Sequence, residues 1–222
     1  MNVRQAAERL LLGALVIFGG VALFGLFVTH VLVHTELARM DVRGDTWLAA
    51  HRSPDLNTAT HWFTLLAETL TVTVLAVVAV AGVALAARRW REPLFLALAV
   101  GGEVQLFLAV TLVVHRHRPL VSHLDPAPPT SSYPSGHTAA AIALYGGVAI
   151  LAARLITNLV IRRVLVVIAF FVPAVVAFSR IYRGMHFPTD VIGGIVLGCA
   201  WLGVLTAVLL PQRSHTRVDV RR

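Results

Sequence analysis

The sequence has no lysine, a single cysteine and few charged residues of any kind, since only 14% of its 222 residues are charged. One cysteine cannot form an intrachain disulfide or a cysteine-based zinc site, and we expect Cys199 to be a small thiol packed in the core. Soluble domains are about one quarter charged, so this content is not that of an ordinary soluble domain. Hydrophobic residues make up 57% of the chain, and the mean hydropathy is +0.78. The composition therefore indicates an integral membrane protein.

All the basic residues are arginines, and the net charge of the chain is +8. In a soluble protein a balance this basic suggests nucleic-acid binding. Here the arginines lie mostly in short segments between apolar runs, a distribution that orients a chain across a membrane. We therefore expect the lipid bilayer as the surroundings and no nucleic-acid partner.

Six apolar runs are each close to the length of about 20 residues that crosses the hydrocarbon core as a helix. They cover residues 10–33, 62–87, 93–114, 137–156, 160–178 and 188–210. The first run is longer than the core of a signal peptide and no small-residue cleavage motif follows it, so we expect an uncleaved first span. The predicted fold is an all-α integral membrane protein with six transmembrane helices. It forms one domain over 1–222, with short cytoplasmic tails at about 1–9 and 211–222.

The arginines also predict the orientation of the chain. With the N-terminus in the cytoplasm, twelve arginines fall on the cytoplasmic side and seven on the opposite side, as expected when positive charge stays inside. Both termini are therefore predicted to be cytoplasmic. The loops 34–61, 115–136 and 179–187 then lie on the extracytoplasmic side. The first of these loops mixes charged and apolar residues, which favours a short amphipathic helix at the interface.

Three polar clusters lie at the ends of these spans, all on the predicted outer side. They are 115–119 (HRHRP), 134–137 (PSGH) and 179–190 (SRIYRGMHFPTD). The guanidinium groups of Arg118 and Arg180 can each bind phosphate oxygens through a planar fork of donors. Ser135 and Gly136 precede a predicted helix, whose free backbone N–H groups favour an anion. Together the clusters predict a phosphate site at one face of the membrane.

The third cluster contains His186 and Asp190, which are four residues apart. At the start of a helix this spacing lets the carboxylate hold one ring N–H of the imidazole, so that the other nitrogen can act as a nucleophile. A second histidine, His137, can then supply a proton to the leaving group. Phosphoryl transfer depends mainly on positioning and charge stabilisation, which the arginines provide without a metal or a cofactor.

These clusters resemble the signature of the type 2 phosphatidic acid phosphatase superfamily, which includes lipid phosphate phosphatases. The sequences Pro-Ser-Gly-His at 134–137 and Ser-Arg-x5-His-x3-Asp at 179–190 match the second and third parts of the family pattern in full, and the motifs extend over about 90–205. The resemblance implies that His186 is the nucleophile, that Asp190 orients it and that His137 is the general acid. The implied phosphate ligands are Arg118, Ser135, Gly136 and Arg180, with no metal.

The first part of the family pattern is incomplete. Relatives have a lysine seven residues before the Arg-Pro pair, and Thr111 stands at that position here. Seven residues are nearly two helical turns, so position 111 lies on the same face as Arg118. A threonine is too short to reach a phosphate bound there, and we expect weaker phosphate binding than in lysine-bearing relatives.

Several other polar residues have no assigned role. Arg116 fits an interfacial anchor and a partial substitute for the missing lysine equally well. Glu68 and Glu103 lie in apolar runs, where an ionisable group suggests a function. Glu68 is near the outer end of its span, whereas Glu103 is deep enough to pair inside the bundle. Three further histidines are interpreted as part of a solvated loop rather than a metal site: His115, His117 and His123.

The resemblance implies a metal-independent lipid phosphatase of the cell membrane, which hydrolyses a lipid phosphate or pyrophosphate through a phosphohistidine intermediate at an extracytoplasmic site. Family substrates include phosphatidate, phosphatidylglycerol phosphate and polyprenyl phosphates or pyrophosphates. An outward site favours a polyprenyl carrier of cell-envelope synthesis, such as undecaprenyl pyrophosphate. Two alternatives stay open. A lipid phosphotransferase would pass the same phosphoryl group to a second lipid, and a lipid transporter or binding protein would keep the fold without turnover.

Overall fold

The computed structural model describes residues 2–86 and 89–210, so Arg88 and the predicted tail 211–222 lie outside the described residues. Within these ranges the chain is helical and contains no strand, which confirms the predicted all-α class. The α-helices are α1 Val3–Leu26, α2 Glu36–Ala50, α3 Pro54–Leu65, α4 Thr69–Ala86, α5 Arg91–Val113, α6 Gly136–Ala141, α7 Gly147–Leu155, α8 Leu159–Tyr182 and α9 Pro188–Leu209. Short π-helical turns extend α1 over Phe27–Val31 and join α6 to α7 over Ile142–Gly146.

Six helical stretches of the described chain are long and apolar enough to cross a membrane, as predicted. They are Val3–His34, Thr69–Ala86, Arg91–Val113, Gly136–Leu155, Leu159–Tyr182 and Pro188–Leu209. Three predicted boundaries are wrong. The first span begins at Val3 rather than at 10, so that most of the predicted N-terminal tail is helical. The second span begins at Thr69 rather than at 62, because a turn at residues 66–68 separates α3 from α4. The fifth span continues to Tyr182, so that part of the third polar cluster is helical.

Helix α9 lies at the centre of the bundle and packs against α1, α5 and α6. Its Leu197 and Leu205 are fully buried, and the indole N–H of Trp201 donates to the carbonyl of Leu98 at 2.8 Å. The opposite face of α9 carries exposed Ile192, Ile195 and Val196. Cys199 continues this exposed face, so the prediction of a packed core thiol is wrong. The helical period puts position 199 on the side of α9 that faces away from its neighbours.

Close packing between α6 and α9 depends on two small residues. A Cβ atom at Gly194 would lie 2.5 Å from the carbonyl oxygen of Ser135, and one at Gly198 would lie 2.9 Å from Cβ of Ile142. The N–H of Ser135 donates to the carbonyl of Asp190 at 2.9 Å. Glycines four residues apart allow this approach between transmembrane helices, and the start of α6 is thereby held against the start of α9.

The segment between the first two spans contains α2 and α3. A helix, α2, is therefore present where a short amphipathic helix was expected, and it directs polar groups into the protein. Its position at the membrane interface stays a prediction. Its Asp41 and Asp45 are 3% and 2% exposed, and α2 contacts both α8 and α9. Helix α2 consequently covers the end of the bundle at which α5 and α8 end and α6 and α9 begin.

Candidate active site

A cavity of about 740 Å³ opens at this end of the bundle, a size common for small-molecule sites. The three polar clusters meet there because successive spans run in opposite directions, so that the end of one lies beside the start of the next. Of the predicted site residues, five line the cavity: Arg118, Gly136, His137, Arg180 and His186. Ser135 and Asp190 lie behind the cavity wall and are fully buried.

The guanidinium groups of Arg118 and Arg180 are each fixed on one side. Nη1 of Arg118 donates to the carbonyl of Met185 at 2.7 Å, and Nη1 of Arg180 donates to Asp125 Oδ2 at 2.9 Å. The Nε atom of each arginine is buried and has no hydrogen-bond partner among the described residues. Burial lowers the pKa of Arg118, an effect opposed by the charge of Asp190, and a guanidinium stays protonated in proteins. The cavity therefore has two fixed positive charges with unused donors.

His186 is 4% exposed and follows a turn that requires glycine. Gly184 has a φ of +74°, in the left-handed region that other residues avoid. Nδ1 of His186 lies 2.7 Å from the carbonyl oxygen of Ser132, and since a carbonyl only accepts, the proton belongs on Nδ1. Nε2 then keeps its lone pair. Burial lowers the pKa of His186, and the interaction with Asp190 only partly offsets this, which favours the neutral imidazole.

The predicted partner of His186 lies farther away than expected. Oδ2 of Asp190 is 3.8 Å from His186 Nδ1 and instead accepts the N–H of Phe187 at 2.9 Å. The other oxygen, Oδ1, accepts from Nη1 of Arg116 at 2.5 Å. The carbonyl of Ser132 therefore fixes the tautomer of His186, and Asp190 acts on the ring through its charge. An orienting role for Asp190 stays a prediction.

Arg116 is not among the residues that line the cavity. Its side chain is 10% exposed and Nη2 pairs with Asp41 at 3.0 Å, while Nη1 pairs with Asp190. The guanidinium also lies 4.4 Å from the ring centroid of Phe187. Arg116 thus joins α2 to the start of α9, and neither sequence interpretation of this residue included these ion pairs.

His137 lies in the first turn of α6 and lines the cavity opposite the turn between α3 and α4. Its Nε2 atom is 3.4 Å from Oε2 of Glu68, which lies in that turn. The sequence placed Glu68 near the outer end of the second predicted span, and the break in that span brings it to the imidazole. The sequence signal for this contact was an acidic residue inside an apolar run.

The other members of the second cluster have different surroundings. The hydroxyl of Ser135 is paired with that of Thr138 at 3.0 Å and its N–H bonds to Asp190. Gly136 lines the cavity beside the ring of Phe107, which would lie 2.9 Å from a Cβ at this position. Phosphate binding by Ser135 and Gly136 stays a prediction.

Asp125 is a site residue that sequence reasoning missed. Its carboxylate accepts Nε and Nη2 of Arg183 at 2.8 and 2.6 Å and also bonds to Arg180. Burial alone would raise the pKa of Asp125, but the hydrogen bonds from Arg183 and the charge of Arg180 hold it below its usual value. The ionised carboxylate positions Arg180 in the cavity. The only sequence signal for Asp125 was its position in a long polar loop.

Thr111, His115 and His117 are not among the residues that line the cavity. Thr111 is 9% exposed and its hydroxyl donates to the carbonyl of Leu108 at 2.8 Å. His115 and His117 are exposed. Across residues 2–86 and 89–210, no group of three or more His, Cys, Asp or Glu residues is arranged to hold a metal ion.

A bundle of six candidate membrane spans, with two histidines and two arginines around one cavity, is the architecture of a helical membrane protein. The family model described as the PAP2 superfamily matches residues 92–214. This chain belongs to the PAP2 superfamily.

Known proteins similar to this chain include two curated relatives. It is 36% identical over 83 residues to an undecaprenyl-diphosphatase from Sulfolobus acidocaldarius, covering 37% of this chain and 35% of that protein. It is 37% identical over 92 residues to the undecaprenyl-diphosphatase BcrC of Bacillus subtilis, covering 40% and 42%. The alignments thus span less than half of these relatives.

The structural similarity to a known protein covers more of this chain than these sequence alignments do. A crystal structure of a transmembrane PAP2-type phosphatidylglycerolphosphate phosphatase from Bacillus subtilis superposes with a TM-score of 0.76 at 25% identity. It covers 86% of this chain and 94% of that chain. The whole bundle therefore has the architecture of a membrane-embedded PAP2 protein.

Proposed function

We propose that this protein is a lipid phosphatase that hydrolyses a lipid phosphate or pyrophosphate, without a metal, through a phosphohistidine intermediate. The observation that carries the proposal is the meeting of His137 and His186 with Arg118 and Arg180 around one cavity. Membership of the PAP2 superfamily and the phosphatase names of the relatives support it. The apolar spans around the cavity support a lipid as the substrate.

The first step of the proposed reaction transfers the phosphoryl group to His186. Arg118 and Arg180 bind the phosphate oxygens, and their fixed charges stabilise the transition state without reorganisation. Nε2 of His186 attacks phosphorus as the bond to the leaving oxygen breaks. Protonated His137 donates its proton to that oxygen, and Glu68 positions the imidazole for this transfer. The products are a lipid alcohol, or a lipid monophosphate from a pyrophosphate, and the phosphohistidine.

The second step returns the enzyme to its starting state. Neutral His137 takes a proton from water, the oxygen of that water attacks phosphorus, and the bond between phosphorus and Nε2 breaks. Inorganic phosphate leaves and His137 is again protonated. Two lipid classes are candidates for the substrate, polyprenyl pyrophosphates and phosphatidate-type lipids, because the relatives are named for one or the other.

The test is phosphate release by purified protein in detergent with EDTA present, from phosphatidate, phosphatidylglycerol phosphate and a polyprenyl pyrophosphate. We expect release from at least one lipid, inhibition by vanadate, and a loss of at least about 10³-fold in His186→Ala. The exposed His115 supplies a matched control, and His115→Ala should keep full activity. Activity that survives in His186→Ala contradicts the mechanism, and a transfer product in place of inorganic phosphate indicates a phosphotransferase. No release from any lipid contradicts the proposed function.

A further inference from the structure

The cavity continues from the polar end into the apolar part of the bundle, between α4 and α5. On α5 it is lined by Val100, Glu103, Val104, Phe107 and Leu108. These residues recur every three or four positions, so they form one face of the helix. Thr69, Val72 and Thr73 of α4 line the opposite wall. The extension has the form of a groove for a lipid chain.

Glu103 differs from the other residues named in this groove because its side chain is ionisable. Its side chain is 1% exposed, and Oε1 is buried without a hydrogen-bond partner in the described part of the chain. No described cation forms an ion pair with it. Burying a polar group without a partner is costly, and an ionisable group within a membrane span usually marks a ligand site. A ligand that reaches this depth with a polar atom would remove the cost.

The depth of Glu103 relative to the histidines can be read along α5. The ring of Phe107 lies against Gly136, the neighbour of His137. Glu103 precedes Phe107 by one helical turn and therefore lies about 6 Å deeper. When a phosphoryl group is bound at the polar end, atoms a few bonds below it reach the level of Glu103. In a glycerol-based lipid those atoms include ester oxygens, whereas in a polyprenyl lipid they are hydrocarbon.

We propose that Glu103 forms a second polar subsite, in which its carboxyl group hydrogen-bonds an ester carbonyl of a glycerol-based lipid phosphate. In the neutral form the carboxyl donates the hydrogen bond that the ester accepts. A polyprenyl chain in the same groove leaves the carboxyl unpaired, so the subsite favours a diacylglycerol phosphate over a polyprenyl phosphate. This inference rests on the proposed function and selects between its two substrate classes.

The test compares matched monophosphates in detergent: diacyl phosphatidate, its ether-linked analogue without ester carbonyls, and a polyprenyl monophosphate. In the wild type we expect the highest kcat/KM for the diacyl lipid. Glu103→Leu should lower that value about tenfold, the effect of losing one buried hydrogen bond, and leave the other two lipids unchanged. Glu103→Gln keeps a donor and should retain the preference. Gln105→Leu, an exposed polar residue of the same helix outside the cavity lining, is the control.

Two results would overturn the subsite. The first is a Glu103→Leu variant that loses activity equally on all three lipids, as a structural role predicts. The second is a wild type that prefers the polyprenyl or ether lipid. Thermal unfolding provides a separate readout, because Glu103→Leu without lipid should be at least as stable as the wild type.

Measurements of lipid affinity test this inference separately from the proposed function. In a His186→Ala background, phosphatidate affinity should fall about tenfold on adding Glu103→Leu, while affinity for the polyprenyl monophosphate should not change. This measurement needs no turnover. If the protein releases no phosphate from any lipid, the proposed function fails, and the affinity difference still decides the subsite.

Discussion

The surroundings of His186 illustrate how a residue type can be predicted while its contacts cannot. The motif identified the imidazole and a carboxylate four residues later. It could not identify Ser132, which belongs to a different loop and accepts the Nδ1 proton through its backbone. Because every residue has a backbone carbonyl, the residue type does not show which carbonyl accepts this proton. The same limit applies to Asp125 and Asp41, whose pairing with arginines depends on how distant segments pack.

The first residue-scale prediction concerns pH. Burial lowers the pKa of His186, and the nearby charge of Asp190 raises it in part. Since only the neutral imidazole attacks, activity is lost as pH falls through this pKa, and the acidic limb of kcat/KM should lie below the usual histidine value of about 6.5. Asp190→Asn removes the charge and should shift that limb to still lower pH. A shift to higher pH in the profile of the variant would contradict the assignment.

The second residue-scale prediction concerns Arg116. Removing its charge leaves Asp41 and Asp190 buried without their shared partner, so Arg116→Leu should lower the free energy of unfolding by about 3–5 kcal/mol. The exposed pair of Arg39 with Glu36 supplies the comparison, and Arg39→Leu should cost less than about 1 kcal/mol. Chemical denaturation in detergent measures both changes. Equal losses of the free energy of unfolding in the two variants would show that the buried ion pairs stabilise the protein no more than the exposed pair does.

At the scale of elements, the break between α3 and α4 is the main departure from prediction. Residues 62–87 read as one apolar run because Leu66 and Ala67 continue its pattern. Tertiary contacts define the turn instead, since the hydroxyl of Tyr145 donates to the carbonyl of Leu66 at 2.9 Å. The helices of the six spans were predictable because each buries its own backbone hydrogen bonds in lipid. The turn was not predictable, because it depends on a contact with a residue 79 positions away.

Helix α2 provides a prediction about stability. Burial, then the charges of Asp41 and Asp190, raise the pKa of Asp45 from 3.8 to about 8. The folded state therefore holds a proton that the unfolded state releases, so the free energy of unfolding falls as pH rises from about 4 to about 8. Asp45→Asn removes this dependence. The variant should unfold at a higher temperature than the wild type at pH 8.5, with little difference near pH 4.

A control for this prediction is Glu8→Gln, which changes an exposed side chain of α1. It should leave the pH dependence of the melting temperature unaltered. If Asp45→Asn is instead less stable at pH 8.5, the carboxyl group makes a stabilising contact and the premise of an unpaired buried acid is wrong.

For the whole molecule, the sequence predicted the architecture better than the details of the site. Alternating spans bring every second loop to the same end, so the three polar clusters on such loops were predicted to share one face of the membrane. The convergence of His137, His186, Arg118 and Arg180 follows from that topology. That Arg118 lines the cavity and Arg116 does not is a result of side-chain packing, which a single sequence does not specify. The groove beside Glu103 likewise needs α4 and α5 to be placed side by side.

Orientation in the membrane is the last prediction. The arginine distribution favours an extracytoplasmic cavity, with Ala127 outside and Thr157, in the loop between α7 and α8, inside. Both residues are exposed. In a Cys199→Ala background, Ala127→Cys should react with a membrane-impermeant maleimide in intact cells, and Thr157→Cys only after permeabilisation. The cysteine-free chain should not react under either condition. The reverse pattern would put the cavity in the cytoplasm, where it meets lipids of the inner leaflet, and would remove the reason to connect the protein with outward-facing substrates.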